Sequence, residues 1–231
     1  MTSSPLTLIV GAGPGLSAAF ARRAARAGHR IALAARNTDK LADLAASLQA
    51  SCHACDVVNA EQVAALFAAV QRDQGVPDVV LFNPSARVRG PVIEIDPEAV
   101  RSALLVSAYG GFLVGQAAAR AMLPRGSGSI LFTGASASVK GFADSSAFAM
   151  GKFGLRGLAQ SMARELAPRG IHVAHFIIDG GIRTAGGSRQ DPGDDRFLDP
   201  AAIAETYWAI HCQPRSAWTW EVELRPWQEN F

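Results

Sequence analysis

The 231-residue chain is short of cysteine, of one-sided charge and of long apolar runs. Three cysteines cannot build a disulfide framework. Cys52 and Cys55 have Cys-x-x-Cys spacing, but they fall in a short predicted strand ending at Cys55-Asp56. Residues three apart on a strand face opposite ways, and no second pair or histidine cluster completes a site. Both are expected to be buried free thiols. The net charge is only +2, and the Lys and Arg residues are scattered. Without a phosphate-tracking basic stripe, nucleic acid is not expected as a partner. No apolar run reads as long enough to span a bilayer, and Met1 to Pro5 is no signal peptide. The expectation is a soluble, cytoplasmic protein with no membrane partner.

What the chain does hold is a hydrophobic fraction of 49%, enough for a sizeable core. Its length suits one α/β domain over residues 1–231. The most informative stretch is the N-terminal Leu6-Thr-Leu-Ile-Val-Gly-Ala-Gly-Pro-Gly-Leu-Ser17. Leu6 to Val10 is a short apolar run that reads as a buried strand. The pattern breaks at Gly11, Gly13 and Gly15, and helical spacing runs from Leu16 to Gly28. A strand, a glycine turn and a helix start make a dinucleotide-binding turn, in which a pyrophosphate meets the unpaired N–H groups of a helix N-terminus. Side chains at the three glycines would hold phosphates away or block the turn's φ values. An ordinary strand-to-helix turn is the plainer reading, but the position between strand and helix favours the nucleotide.

Strand and helix signals then alternate. Strands are expected at His29–Ala35, up to Cys55-Asp56, and at Asp78–Phe82, Gly128–Thr133, Ile171–Ile178 and Trp218–Leu224. Helices are expected at Ala18–Ala27, Asp39–Ala50, Ala60–Gln74, Pro97–Met122, Ser145–Ala167 and Pro200–His211. Such alternation implies a parallel sheet with helices on both faces. The one long irregular segment, Gly180 to Asp199, reads either as a lid over the ligand crevice or as a surface loop without a role.

Taken together, these motifs resemble the short-chain dehydrogenase/reductase family over nearly the whole chain. Gly11, Gly13 and Gly15 match its cofactor loop, with Pro14 and Leu16-Ser17 as variant fillings. Asp56-Val57 matches the Asp that contacts the adenine. Asn83-Pro84-Ser85-Ala86 stands where the family has Asn-Asn-Ala-Gly. Ile178-Asp-Gly-Gly-Ile-Arg-Thr184 resembles the Pro-Gly-x-x-x-Thr segment beside the nicotinamide, which brings in Asp179, Gly180, Ile182 and Thr184. The resemblance implies a single Rossmann-type, doubly wound α/β domain of about seven strands in the order 3-2-1-4-5-6-7. It also implies a homodimer or homotetramer, with the last strand and helices Pro97–Met122 and Ser145–Ala167 at the interfaces. Small residues such as Gly154 and Gly157 would permit close helix approach there.

In this fold the residue closing the second strand lies by the adenosine ribose, where a carboxylate selects NAD. Ala35-Arg36-Asn37 offers no carboxylate, and an Arg fork can grip a phosphate. NADP is therefore favoured over NAD, unless Arg36 is only a solvated strand-end charge. The resemblance also locates a catalytic centre, and there the chain departs from it. The family's Tyr-x-x-x-Lys appears as Phe148-Ala-Met-Gly-Lys152, so Lys152 is kept while the general acid becomes a ring with no proton to give. The family's Ser falls on Ala135, with Ser136 adjacent, and its Asn falls on Ser107. Tyr109 lies on another helix face and is read as a core or interface residue. Asp179 stands at the Pro position, either orienting the carboxamide or relaying a proton, or else capping the following turn.

Two function classes follow. One is an NADP-dependent oxidoreductase with an altered proton donor, acting on a small molecule. The other is a dinucleotide-binding sensor or scaffold without turnover. The outer wall of the substrate pocket, Ala86–Val92 and the Gly180–Asp199 loop, carries no diagnostic pattern.

Overall fold

The computed structural model describes residues 4–184, 189–190 and 193–228. Seven parallel strands form one sheet in the order β3-β2-β1-β4-β5-β6-β7. They are β1 (Leu6–Val10), β2 (Arg30–Ala35), β3 (Ser51–Ala54), β4 (Val79–Phe82), β5 (Gly128–Thr133), β6 (Ile171–Ile178) and β7 (Glu221–Leu224). Every residue of β1, β4 and β6 is buried, as expected of parallel strands covered on both faces.

Helices α1 (Leu16–Arg26), α2 (Ala42–Leu48) and α7 (Pro200–His211) cover one face. Phe20, Leu44, Ile203 and Tyr207 pack there, and the Tyr207 ring stacks on Phe176 at 3.6 Å. Helices α3 (Ala60–Gln74), α5 (Gly110–Met122) and α6 (Ser146–Leu166) cover the other, with Phe67, Val114, Met122, Leu155 and Met162 inside. Local chemistry sets the helix ends. Asn59 caps α3 by accepting from the Gln62 N–H. Asp96 caps α4 (Pro97–Leu104) and Asp199 caps α7, each followed by Pro at the first helical position. Gly28, at φ +86°, stops α1 and lets the His29 N–H reach the Ala24 carbonyl.

Several expectations need correction. Cys52 is exposed, because β3 is an edge strand whose alternate residues face solvent, whereas Cys55 turns inward just past its end. Burial, helped by the Asp56 charge, pushes the Cys55 thiol up to about 11, which leaves it inert. The residues read as a helix from Asp39 open with a 3₁₀ turn, Asp39–Leu41, before α2. The last strand is shorter than expected, and Arg215–Ala217 is a 3₁₀ turn. Residues Pro97–Met122 are in fact one helical stretch long and apolar enough, by length and composition, to cross a membrane. Here its apolar residues pack on the sheet and on α6. It is interrupted by a π-turn at Leu105–Tyr109, which leaves Tyr109 exposed and not in the core. A Cβ at Gly154 would sit 3.1 Å from Ala108 of the same chain, so its small size serves packing within the subunit. The proposed lid spans residues 185–188 and 191–192, which lie outside the described residues. Its ends are joined by a parallel bridge between Ile182 and Leu198.

Two glycines give opposite predictions. A Cβ at Gly134 would overlap the His175 ring and come within 2.8 Å of the Phe176 carbonyl, whereas at Gly157 in α6 it meets nothing within 4 Å. Gly134→Ala is expected to cost about 1–3 kcal/mol through overpacking. Gly157→Ala should add about 0.5–1 kcal/mol by favouring the helix. Urea denaturation of both variants checks the signs.

Candidate functional site

The site lies where the C-terminal ends of β1, β2, β4 and β5 open between the helix layers. Gly11 follows β1 at φ +80°, and its N–H donates to the Ala34 carbonyl at 2.9 Å. A Cβ there would press on the Pro84 ring at 2.7 Å, so this glycine answers to the fold itself. Gly13 and Gly15 differ, because nothing lies within 4 Å of where their Cβ atoms would be. Their backbone faces open space at the start of α1, where no side chain caps the free N–H groups. Asn83 fixes the turn from the neighbouring strand end. Its Nδ2 donates to Ser17 Oγ at 2.8 Å, and that hydroxyl donates to the Gly11 carbonyl at 3.0 Å.

Two cavities flank the glycine turn. One, of about 420 Å³, has Gly11, Arg36, Asp56 and Val57 on its walls together with Asn83, Pro84 and Ser85. Lys40 and Asn37 also line it; the sequence reading passed over Lys40, although its spacing of four from Arg36 was a usable signal. The other, of about 620 Å³, brings together Pro14, Gly15 and Thr184 with Arg22 and Arg183, two further cations not singled out from the sequence. Three predicted cofactor residues have other duties. Leu16 is buried in the core beneath α1. Ile182 packs against the same core through its bridge to Leu198. Asp179 is 5% exposed and its Oδ2 is held by Arg225 at 2.9 Å and Lys140 at 3.4 Å. Its carboxylate ties the end of β6 to the segment after β7, while the adjacent Gly180, at φ +149°, makes the turn.

Lys152 projects from α6 and is 2% exposed, its Nζ donating to the Thr133 carbonyl at 2.8 Å. Burial pushes its ammonium down to about 7, with the charge of Arg87 adding to the effect. One turn earlier, the Phe148 ring lies 6.0 Å from Lys152 Nζ and carries the Arg87 guanidinium 4.4 Å above it. Ala135 has extended backbone leading into the 3₁₀ turn Ser136–Ser138. Ser136 is part-exposed on the wall of a third cavity beside Phe148. Ser138 is fully buried, and its Oγ accepts from the Ala135 N–H at 3.1 Å. It is hydrogen-bonded to His175 at 3.3 Å, which meets Glu221 at 3.1 Å. That chain of Ser, His and Glu braces the loop from behind, with no access for a substrate. Burial holds the His175 imidazole down to about 4 against the pull of the Glu221 charge. Ser107 sits in the π-turn, buried against α6, where a Cβ at Gly151 would meet its own Cβ at 2.9 Å. Such turns interrupt helices mainly at functional positions.

Because Lys152 titrates near 7 when folded and near 10.5 when unfolded, the unfolded chain holds the extra proton between those values. Stability is therefore expected to rise with pH through that window. Lys152→Met should flatten the rise, and urea midpoints at pH 7 and pH 9 for both proteins measure the difference.

Comparison with known proteins agrees with this geometry. Residues 11–206 match the family model described as enoyl-(acyl carrier protein) reductase. A short-chain dehydrogenase structure from Rhodopseudomonas palustris is 37% identical, with a TM-score of 0.84, covering 96% of this chain and 99% of that one. A metagenomic short-chain oxidoreductase in complex with NADP is 26% identical, with a TM-score of 0.84, covering 97% and 98%. An uncharacterized oxidoreductase of Staphylococcus aureus (strain N315) is 29% identical over 227 residues, 96% of each chain. With the sheet order, the glycine turn and Lys152 already in place, the chain belongs to the short-chain dehydrogenase/reductase family.

Proposed function

We propose that this chain binds NADP(H) across the two cavities beside the glycine turn and is an oxidoreductase acting on a small molecule. The observation that carries the reading is the open space at the Gly13 and Gly15 Cβ positions, at a helix start flanked by cavities of dinucleotide dimensions. Bulk there would fill a cradle that the fold otherwise leaves clear. When bound, the dinucleotide supplies or accepts a hydride.

The chain's own residues do the rest. The α1 N-terminus and Arg22 offer positive potential to a pyrophosphate. Arg36 and Lys40, on the same cavity wall as Ala35 and Asn37 at the end of β2, suit a 2′-phosphate. Asp56 and Val57 bound the adenine end, and Thr184 the opposite one. Lys152 would exchange its bond to the Thr133 carbonyl for a ribose hydroxyl. The NADP complex of the metagenomic relative supports the cofactor choice. Assembly through α4 to α6 belongs to the same reading, since Tyr109, Phe112, Met150 and Phe153 expose apolar surface on those helices.

A carbonyl oxygen that gains charge during reduction needs a proton or a strong donor. Phe148 offers neither, and Ala135 has no hydroxyl to hold the oxygen. The favoured substrates are therefore ones activated in another way, such as conjugated C=C bonds, iminium ions or quinones. The same two residues favour a second reading, a dinucleotide sensor that does not turn over.

NADPH is expected to bind more tightly than NADH. Arg36→Ala should remove about 1.5–3 kcal/mol of that preference. Calorimetric titration with both cofactors checks it, and an unchanged ratio would take the phosphate away from Arg36.

Wild type is expected to reduce simple ketones poorly. The double change Phe148→Tyr with Ala135→Ser should raise that rate, since a placed general acid contributes roughly 10²–10⁴. NADPH consumption with an aromatic ketone, and with an activated enone, separates the readings. Turnover of the enone alone by wild type supports the reductase, and tight binding without turnover on either supports the sensor.

A further inference from the structure

The cavity beside Phe148 holds about 290 Å³ and shares no lining residue with the two assigned to the dinucleotide. Its walls are Arg87 and Arg89 on one side, Phe142 and Phe148 as apolar surfaces, and the hydroxyl-bearing Ser136 and Ser145. The Gly90 N–H donates to the Asp144 carbonyl at 3.1 Å and so joins the two segments that form it.

Charge is one-sided here. The groups whose fields act on Arg87 are Arg189 and Arg89, and Arg87 in turn acts on Lys152. No carboxylate lies within ion-pair distance of Arg87 or Arg89 among the described residues. Among the arginines that do face an acid are Arg23, Arg101, Arg125, Arg156 and Arg196. Cations gathered around an aromatic-walled cavity without a counter-charge repel one another, and an anion entering it relieves that repulsion. Part-burial and the two neighbouring arginines already hold the Arg87 guanidinium below its ordinary value. Guanidinium forks match the two oxygens of a carboxylate, and the Phe142 and Phe148 rings accept flat apolar matter beside it.

We propose that this cavity binds the carboxylate of a small unsaturated or aromatic acid, gripped by Arg87 and Arg89 with its apolar body against Phe142 and Phe148. The assignment rests on the dinucleotide reading, because it takes this cavity as the one left for the substrate. It also gives Phe148 a use, as a platform on which Arg87 is stacked.

The test is calorimetric titration of the NADPH-saturated protein with benzoate, benzamide and phenylphosphonate. Benzoate is expected to bind at least about 10-fold more tightly than benzamide, with the difference shrinking as salt is raised. Arg87→Gln and Arg89→Gln should each weaken benzoate about 10-fold and leave benzamide unchanged, and Arg89→Gln should also leave NADPH affinity unchanged. Equal affinity for benzoate and benzamide, or binding of neither, overturns the proposal, and tighter phenylphosphonate overturns the choice of carboxylate. NADPH affinity is measured first and separately. Its absence would sink the dinucleotide reading, and the same three probes against the unliganded protein would then decide the carboxylate site alone.

Discussion

Burial of the sheet on both faces is the constraint from which the rest follows. Parallel strands cannot be joined by tight turns, so each connection crosses a face as a helix and returns to the same edge. Every backbone polar group in β1, β4 and β6 is taken up by a neighbouring strand or kept from water by a helix. The strand ends are where the sheet itself can present groups to a ligand. At the C-terminal edge the order 3-2-1-4-5-6-7 separates the connections after β1 and β4 to opposite faces, which opens the crevice there. The bonds from Asn83 to Ser17 and from Ser17 to Gly11 pull the two walls into register.

On that frame, electrostatics distinguish this chain from a generic nucleotide-binding domain. Lys152 is an ammonium in an almost dry place, bonded to one carbonyl and facing Arg87 across an aromatic ring. Arg87 acts on it and is itself near Arg89 and Arg189, with no ion pair to Arg87 or Arg89 among the described residues, while Arg36 and Lys40 line a second cavity. Asp179, at the end of β6, is held by Arg225 and Lys140. A net charge of +2 does not reveal this arrangement, in which Arg36, Lys40, Arg87 and Arg89 line cavities while acids such as Glu98 and Glu205 are paired on the surface.

Much of the architecture was legible because it depends on local chemistry. Apolar runs marked the buried strands, and the helices placed from Pro97 and Pro200 begin there, each capped by the preceding Asp. Misread elements were those decided by neighbours. Cys52 is exposed only because β3 ends the sheet, and the π-turn at Leu105–Tyr109 arises within a pattern that looks like unbroken helix. The residues of the glycine turn and those from Asp56 to Ser85 were named from motif spacing, and cavities gather most of them. The side chains of Leu16 and Ile182 turn into the core, because a motif position does not say which way a side chain points.

By itself, the sequence determined the parallel α/β sheet, the glycine turn and the lysine on α6, since each is a matter of residue type at a given spacing. Only the tertiary structure decided that Asp179 is an internal ion-pair partner and that Lys40 joins Arg36. It alone showed Arg87 stacked on Phe148 beside a cavity where, among the described residues, no acid pairs with it. Charge pairing and ring stacking join residues dozens of positions apart, and no local pattern encodes which distant groups the folded sheet will bring within a few ångströms.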